Sequence, residues 1–125
     1  MGIQESGENY LETILILKKK KGQVRSIDIA NEMGISKPSV SFAMKKLRER
    51  GYIKMNNKGY ITFTEKGQKT AEEIYEKHNL LTKYLKALGV SEEVAIEDAC
   101  KIEHYISDES LSKIREDYKR IEETK

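Results

Sequence analysis

The sequence predicts a mainly α-helical chain with a small β-hairpin wing, a winged helix-turn-helix followed by a helical dimerisation domain. Three observations predict it. Two short helical segments, separated by a turn at Gly34, precede an alternating pattern between residues 52 and 63. Everything after Thr64 reads as helix, with apolar residues at helical spacing and serines placed as caps. Charge is also segregated: residues 1–64 carry 12 Lys/Arg against 6 Asp/Glu, whereas residues 65–125 carry 11 against 15. A basic half beside an acidic half points the first half at a polyanion, because Lys and Arg neutralise phosphates and release condensed counterions. The expected domains are 1–64 and 65–125.

The elements follow in order. From Ser6 to about Lys20, Tyr10, Leu11, Ile14, Leu15 and Leu17 recur with helical spacing, and Gly22 ends the helix after four lysines. Those lysines read equally as a solvated helix end favoured by the dipole or as phosphate contacts. Ser26 is placed to cap a helix from Ile27 to Glu32 or Met33, with Ile27, Ile29 and Ala30 facing inward. Ser36 caps the next helix, Lys37 to about Arg50, whose Pro38 sits in a first turn where the missing N–H costs no hydrogen bond. Val40, Ala43 or Met44, and Leu47 form its inward stripe. Residues 52–55 and 60–63 alternate as a hairpin around Asn56-Asn57-Lys58-Gly59, whose Asn and Gly residues accept positive φ. Thr64 caps a long helix through Leu88, with Ala71, Ile74, His78, Leu81, Leu85 and Leu88 on one face. Ser91 caps a helix to about Ile106, and Ser107-Asp108 starts the last one.

A chain of 125 residues is too small for an elaborate enzyme. Its longest apolar run, Ile14-Leu15-Ile16-Leu17, cannot span a membrane, and Met1-Gly2-Ile3-Gln4-Glu5 lacks the order of a signal peptide, so a cytoplasmic location is expected. A single cysteine, Cys100, rules out an internal disulfide framework.

A short helix, a Gly turn and a second helix with a polar, basic first turn match the helix-turn-helix, whose second helix enters the major groove of double-stranded DNA. Lys37, Pro38, Ser39 and Ser41 are expected at the groove, Phe42 against a thymine methyl, and Lys45 or Lys46 on a phosphate. Ser36 is structural. In the wing, Asn57 and Lys58 read either as backbone or minor-groove contacts or as a plain solvated turn.

Cys100, Glu103 and His104 fall at i, i+3 and i+4. On one helix face they suit a first-row transition metal such as Fe(II), Mn(II), Co(II) or Zn(II), with the thiolate disfavouring Mg or Ca. A buried cysteine beside an exposed Glu-His pair is the alternative of equal weight on spacing alone.

Glu8-Asn9-Tyr10-Leu11-Glu12, the Ile27-Asp28-Ile29-Ala30 to Val40 helix pair, Thr64-Glu65-Lys66-Gly67, His78 and Cys100-x-x-Glu103-His104 together resemble the diphtheria-toxin-repressor family. The resemblance covers nearly the whole chain and implies a metal-activated dimeric repressor of the short branch that lacks an SH3-like domain. It further implies Cys100, Glu103, His104 and His78 as metal ligands, with Asn9 and Glu12 at the two ligand positions of the first helix. Asn9 departs from the branch's aspartate and can offer only a carbonyl oxygen. Cys100 resembles the iron-responsive branch and Glu12 the manganese branch, so the implied site is a hybrid. The iron branch's ancillary site needs a glutamate and a histidine where this chain has Thr82 and Ile96. A compact site shared by Asn9, Glu12, His78, Cys100, Glu103 and His104 is therefore implied.

The expected function is metal-dependent binding of operator DNA as a homodimer, repressing metal-uptake or metal-homeostasis genes with Fe(II) or Mn(II) as co-repressor. Zn(II) or Co(II) is possible in vitro. The apolar residues around Leu81, Leu85 and Leu88 are expected at the dimer contact. The rivals are a metal-independent or protein-docking winged helix, and a metal-dependent hydrolase that would leave the basic first half without a role.

Overall fold

The computed structural model describes residues 5–124, so Met1–Gln4, on which the reading of the chain start falls, and Lys125 lie outside the described residues. The order is α1 (Glu5–Lys21), α2 (Ser26–Met33), α3 (Lys37–Glu49), β1 (Ile53–Met55), β2 (Ile61–Phe63), α4 (Glu65–Ala87), α5 (Glu92–Ile102) and α6 (Asp108–Glu123). The strands form one antiparallel pair in the register Ile53↔Phe63, Lys54↔Thr62, Met55↔Ile61. Two compact units result, Met1–Glu72 and Glu73–Lys125, with the boundary inside α4.

In the first unit α1 buries Leu11, Ile14, Leu15 and Leu17, the stripe its periodicity predicts, and α3 adds Val40, Met44 and Leu47. Each fully buried aliphatic side chain contributes roughly 1.5–3 kcal/mol, enough to order helices that would be marginal alone. Ser36 caps α3 as expected, its hydroxyl accepting the Ser39 N–H at 3.3 Å. α2 differs. Its N-cap is Arg25, whose N–H donates to the Asp28 carboxylate at 2.8 Å, so Ser26 is inside the helix rather than capping it. Ile27 is 38% exposed, not inward, because Ile29 and Ala30 already fill the buried side of this eight-residue helix.

The wing is fastened at its base. Ile53 and Ile61 are buried, and the Ile61 N–H donates to the Val24 carbonyl at 2.8 Å. Thr64 accepts the Gly67 N–H at 3.1 Å while donating to the Gly51 carbonyl at 2.6 Å, joining the start of α4 to the end of α3. Gly67 is required there, since a Cβ would lie 1.8 Å from the Tyr52 carbonyl oxygen. Of the turn residues only Gly59 adopts positive φ, at 83°; Asn56 and Asn57 do not.

In the second unit Leu81 packs with Ala99 and Leu111, and Leu80, Ile102, Ile106 and Ile114 surround them. Leu81 is thus 2% exposed within its own chain and unavailable to a partner, which corrects its placement at a dimer contact; Leu88 remains 59% exposed. α5 stops at Ile102 instead of Ile106, with Ser107 capping α6 through the Ser110 N–H at 3.1 Å. No helix among the described residues is long and apolar enough to cross a membrane.

Candidate metal centre and nucleic-acid interface

α4 carries His78, the last turn of α5 carries Cys100, and the turn after α5 carries Glu103 and His104. The early end of α5 puts Glu103 at its C-cap. Its side chain is fully buried, and Oε2 lies 3.0 Å from His78 Nδ1. Cys100 Sγ is 3.8 Å from the same nitrogen. Ligand atoms of His78, Cys100 and Glu103 all lie within 4.8 Å of one another. The second carboxylate oxygen, Oε1, makes no hydrogen bond, and His104 Nε2 lies 3.5 Å from it. The His104 side chain is 1% exposed.

A carboxylate removed from water requires a cation or several donors to offset its desolvation. Here one oxygen has the His78 ring and the other lacks a hydrogen bond, while a cysteine and a second imidazole stand beside it. A metal bound at about 2.0–2.3 Å by sulfur, nitrogen and oxygen spaces its donors by roughly 3–4 Å, which the His78, Cys100 and Glu103 atoms approach without large movement. Sulfur, nitrogen and oxygen in one set suit first-row transition metals better than Mg or Ca. The donors present fit a divalent transition metal.

The remaining expected ligands belong to the first unit. Asn9 is half-buried on α1, where its main-chain carbonyl oxygen accepts the Thr13 hydroxyl at 2.9 Å, and Glu12 is 8% exposed one turn later.

The expected DNA-facing residues are all solvent-exposed: Lys37, Pro38, Ser39, Ser41, Phe42, Lys45 and Lys46 on α3, and Asn57 and Lys58 at the wing tip. Three of them are organised further. The Ser36 hydroxyl donates to Ser39 Oγ at 2.8 Å, aiming that hydroxyl, and the Lys46 ammonium rests over the Phe42 ring, 4.6 Å from its centre. Phe42 is 60% exposed. Arg25, whose guanidinium stacks on Tyr60 at 4.4 Å, carried no role in the sequence; Lys66, stacked on Tyr52 at 4.2 Å, entered only through the family resemblance, and Asn56, whose side chain ties the wing turn, only as a turn residue. For Asn56 alone a local signal exists, because an Asn side chain opening a turn bonds its own backbone.

Comparison with known proteins agrees with both halves. Residues 3–61 match the family described as iron dependent repressor, N-terminal DNA binding domain. Residues 64–124 match iron dependent repressor, metal binding and dimerisation domain. The transcriptional regulator MntR of Escherichia coli is 36% identical over 108 residues, 86% of this chain and 70% of its own. The chain belongs to the diphtheria-toxin-repressor family. Members of this family are metal-dependent, DNA-binding transcriptional regulators rather than enzymes. An uncharacterised HTH-type transcriptional regulator of Methanocaldococcus jannaschii, MJ0568, is likewise 36% identical, over 90% of this chain and 92% of its own. Among solved structures, the manganese regulator SloR superposes with a TM-score of 0.79 at 28% identity over 95% of this chain, and ScaR with bound Zn2+ with 0.74 at 29% over 88%. The chain spans only 55% and 52% of those two structures.

Proposed function

We propose that this protein is a cytoplasmic repressor of metal-uptake or metal-homeostasis genes, binding double-stranded operator DNA as a homodimer with Fe(II) or Mn(II) as co-repressor. The observation that carries the proposal is the convergence of His78, Cys100 and Glu103 within 4.8 Å around a fully buried carboxylate whose Oε1 makes no hydrogen bond. His78, Cys100, Glu103 and His104 are the ligands on the second unit. Asn9 and Glu12 are added on the family pattern alone. The similarity to the manganese regulator SloR and to ScaR, a manganese-activated repressor, favours manganese; a Cys100 sulfur ligand suits Fe(II), Co(II) and Zn(II) at least as well.

A bound cation would supply the positive charge that the Glu103 carboxylate and the Cys100 sulfur, as ligands, require. The chain's own residues do the rest. His78 brings α4 and Cys100 brings α5 to one point, while Lys37, Pro38, Ser39, Ser41 and Phe42 read base edges and Lys45, Lys46, Asn57 and Lys58 hold backbone phosphates. The functional boundary is placed at Thr64, with 1–64 reading DNA and 65–125 binding metal and dimerising. Exposed Leu88, Val94 and Ile96 on the second unit supply apolar surface for a second copy. In a two-fold dimer the reading helices must sit about one DNA turn apart, so fixing their separation lowers the ordering cost of engaging both half-sites.

A gel-shift titration of the protein's own upstream DNA with Fe(II) or Mn(II), against chelated protein, tests this reading. Binding that tightens with metal supports it. Equal binding with and without metal leaves a metal-independent winged helix, and no binding in either state leaves a protein-docking one. A thiolate-to-cobalt charge-transfer band on Co(II) addition, lost in Cys100→Ser, reports the ligand set.

A further inference from the structure

β1 and β2 have three residues each, and a hairpin of that size has little stability of its own. Its tip is nevertheless tied by main-chain bonds and by one side chain. The main chain closes the turn with Gly59 N–H on the Asn56 carbonyl and Asn56 N–H on the Tyr60 carbonyl, both at 3.0 Å. The carboxamide of Asn56 adds what the main chain does not. Its Oδ1 accepts the Lys58 N–H and the Tyr60 N–H, each at 2.9 Å. Tyr60 is held from its other side by the Arg25 guanidinium, 4.4 Å above the ring. Asn57 and Lys58, inside the turn that the Asn56 side chain closes, are exposed to solvent.

We propose that Asn56 is the positioning residue of the DNA-reading wing, its carboxamide presetting the tip so that Asn57 and Lys58 meet the DNA backbone already ordered. This rests on the DNA-binding reading above and adds to it a residue that acts without touching DNA. Two backbone donors tied to one side chain need not be ordered at the moment of binding, and removing that cost is worth about 3- to 10-fold in affinity. Because Asn56 carries no charge, its loss releases no counterion and leaves the salt dependence alone. Loss of a lysine on a phosphate instead lowers the salt slope by about 0.9.

The test uses the full chain with Mn(II) and a duplex that the parent protein enriches from a random-sequence pool. Binding is measured across a salt series for the parent, Asn56→Ala, Asn56→Asp and Lys58→Ala, with amide hydrogen exchange at Lys58 and Tyr60 as the structural readout. Asn56→Ala is expected to bind about 5-fold more weakly with an unchanged salt slope, and the two amides to lose protection. Asn56→Asp keeps an acceptor in the same place and is expected to retain protection. Extrapolated to high salt, where its added charge is screened, it should bind within about 2-fold of the parent. The proposal is overturned if Asn56→Ala binds like the parent while its tip amides exchange freely, if those amides are unprotected in the parent, or if Asn56→Ala lowers the salt slope as a contact would. Failure of the parent to enrich any duplex overturns the DNA-binding reading itself, which is a separate result.

Discussion

Replacing Glu103 by Gln separates a metal ligand from a structural ion pair, because the two roles predict opposite signs for stability. The side chain is fully buried, with Oε2 at 3.0 Å from His78 Nδ1 and Oε1 making no hydrogen bond, 3.5 Å from His104 Nε2. If the carboxylate exists to bind metal, the metal-free protein holds a buried charge incompletely offset by its neighbours. A neutral isostere removes several kcal/mol of desolvation while losing one charge-assisted hydrogen bond of about 1.5–3 kcal/mol. Metal-free Glu103→Gln is therefore expected to unfold within about 1 kcal/mol of the parent, or to be more stable. The metal-dependent part changes the other way. At a metal concentration 100 times its dissociation constant the parent gains about 2.7 kcal/mol, and the variant, with a much weaker ligand, loses most of that gain. Urea unfolding of both proteins with Mn(II), with Co(II) and with chelator reads both quantities. A chelated variant less stable by about 3–5 kcal/mol, with no metal gain in the parent, would refute the reasoning and make Glu103 the partner of a buried ion pair.

Other predictions address the frame around the site. Gly67→Ala forces a Cβ to 1.8 Å from the Tyr52 carbonyl oxygen, so α4 must shift from the wing base; a loss of about 1–3 kcal/mol or more in urea unfolding is expected. Ser36→Ala removes the α3 cap and the bond that aims the Ser39 hydroxyl, and should cost about 1 kcal/mol of stability together with weakened DNA binding. The Asp28 carboxyl is held below its usual range, first by the Arg25 N–H and then by Lys21. Its contribution to stability is therefore present above pH about 4 and lost as pH falls through the lowered value. Acid unfolding of Asp28→Asn should show a shallower loss in that window, and identical acid limbs for parent and variant would count against it.

The helical order, the hairpin and the inward stripes of α1 and α3 were legible because each rests on local pattern: Ser36 before Lys37-Pro38, or Leu11, Ile14 and Leu15 on one face. Sequence and structure differ where local signals tie. Ser26 and Arg25 compete for the start of α2, and periodicity cannot show that Asp28 turns back to the Arg25 N–H. Eight residues hardly fix a helical phase, so Ile27 faces solvent where the pattern puts it inward. α5 carries no Gly or Pro after Ile102, so it read through to Ile106, whereas Ile102 and Ile106 both turn onto the Leu81 cluster and the helix ends between them. The same cluster explains why Leu81 is core and not interface. At the candidate site, Cys100, Glu103 and His104 were visible as a spacing, although the helix end changes the geometry that spacing implied. His78, more than 20 residues away, was visible only through the family resemblance, since no local period links α4 to α5. The Asn56 bonds lay within reach of turn chemistry.

The central claim is that metal and DNA binding are coupled, and the most direct measurement is the metal's own affinity by calorimetric titration of Mn(II) into the protein, free and saturated with operator duplex. Linkage requires DNA to tighten metal binding by the same factor by which metal tightens DNA binding, about 5- to 150-fold for typical coupling free energies. Equal metal affinities with and without DNA would contradict the account, even in a protein that binds both.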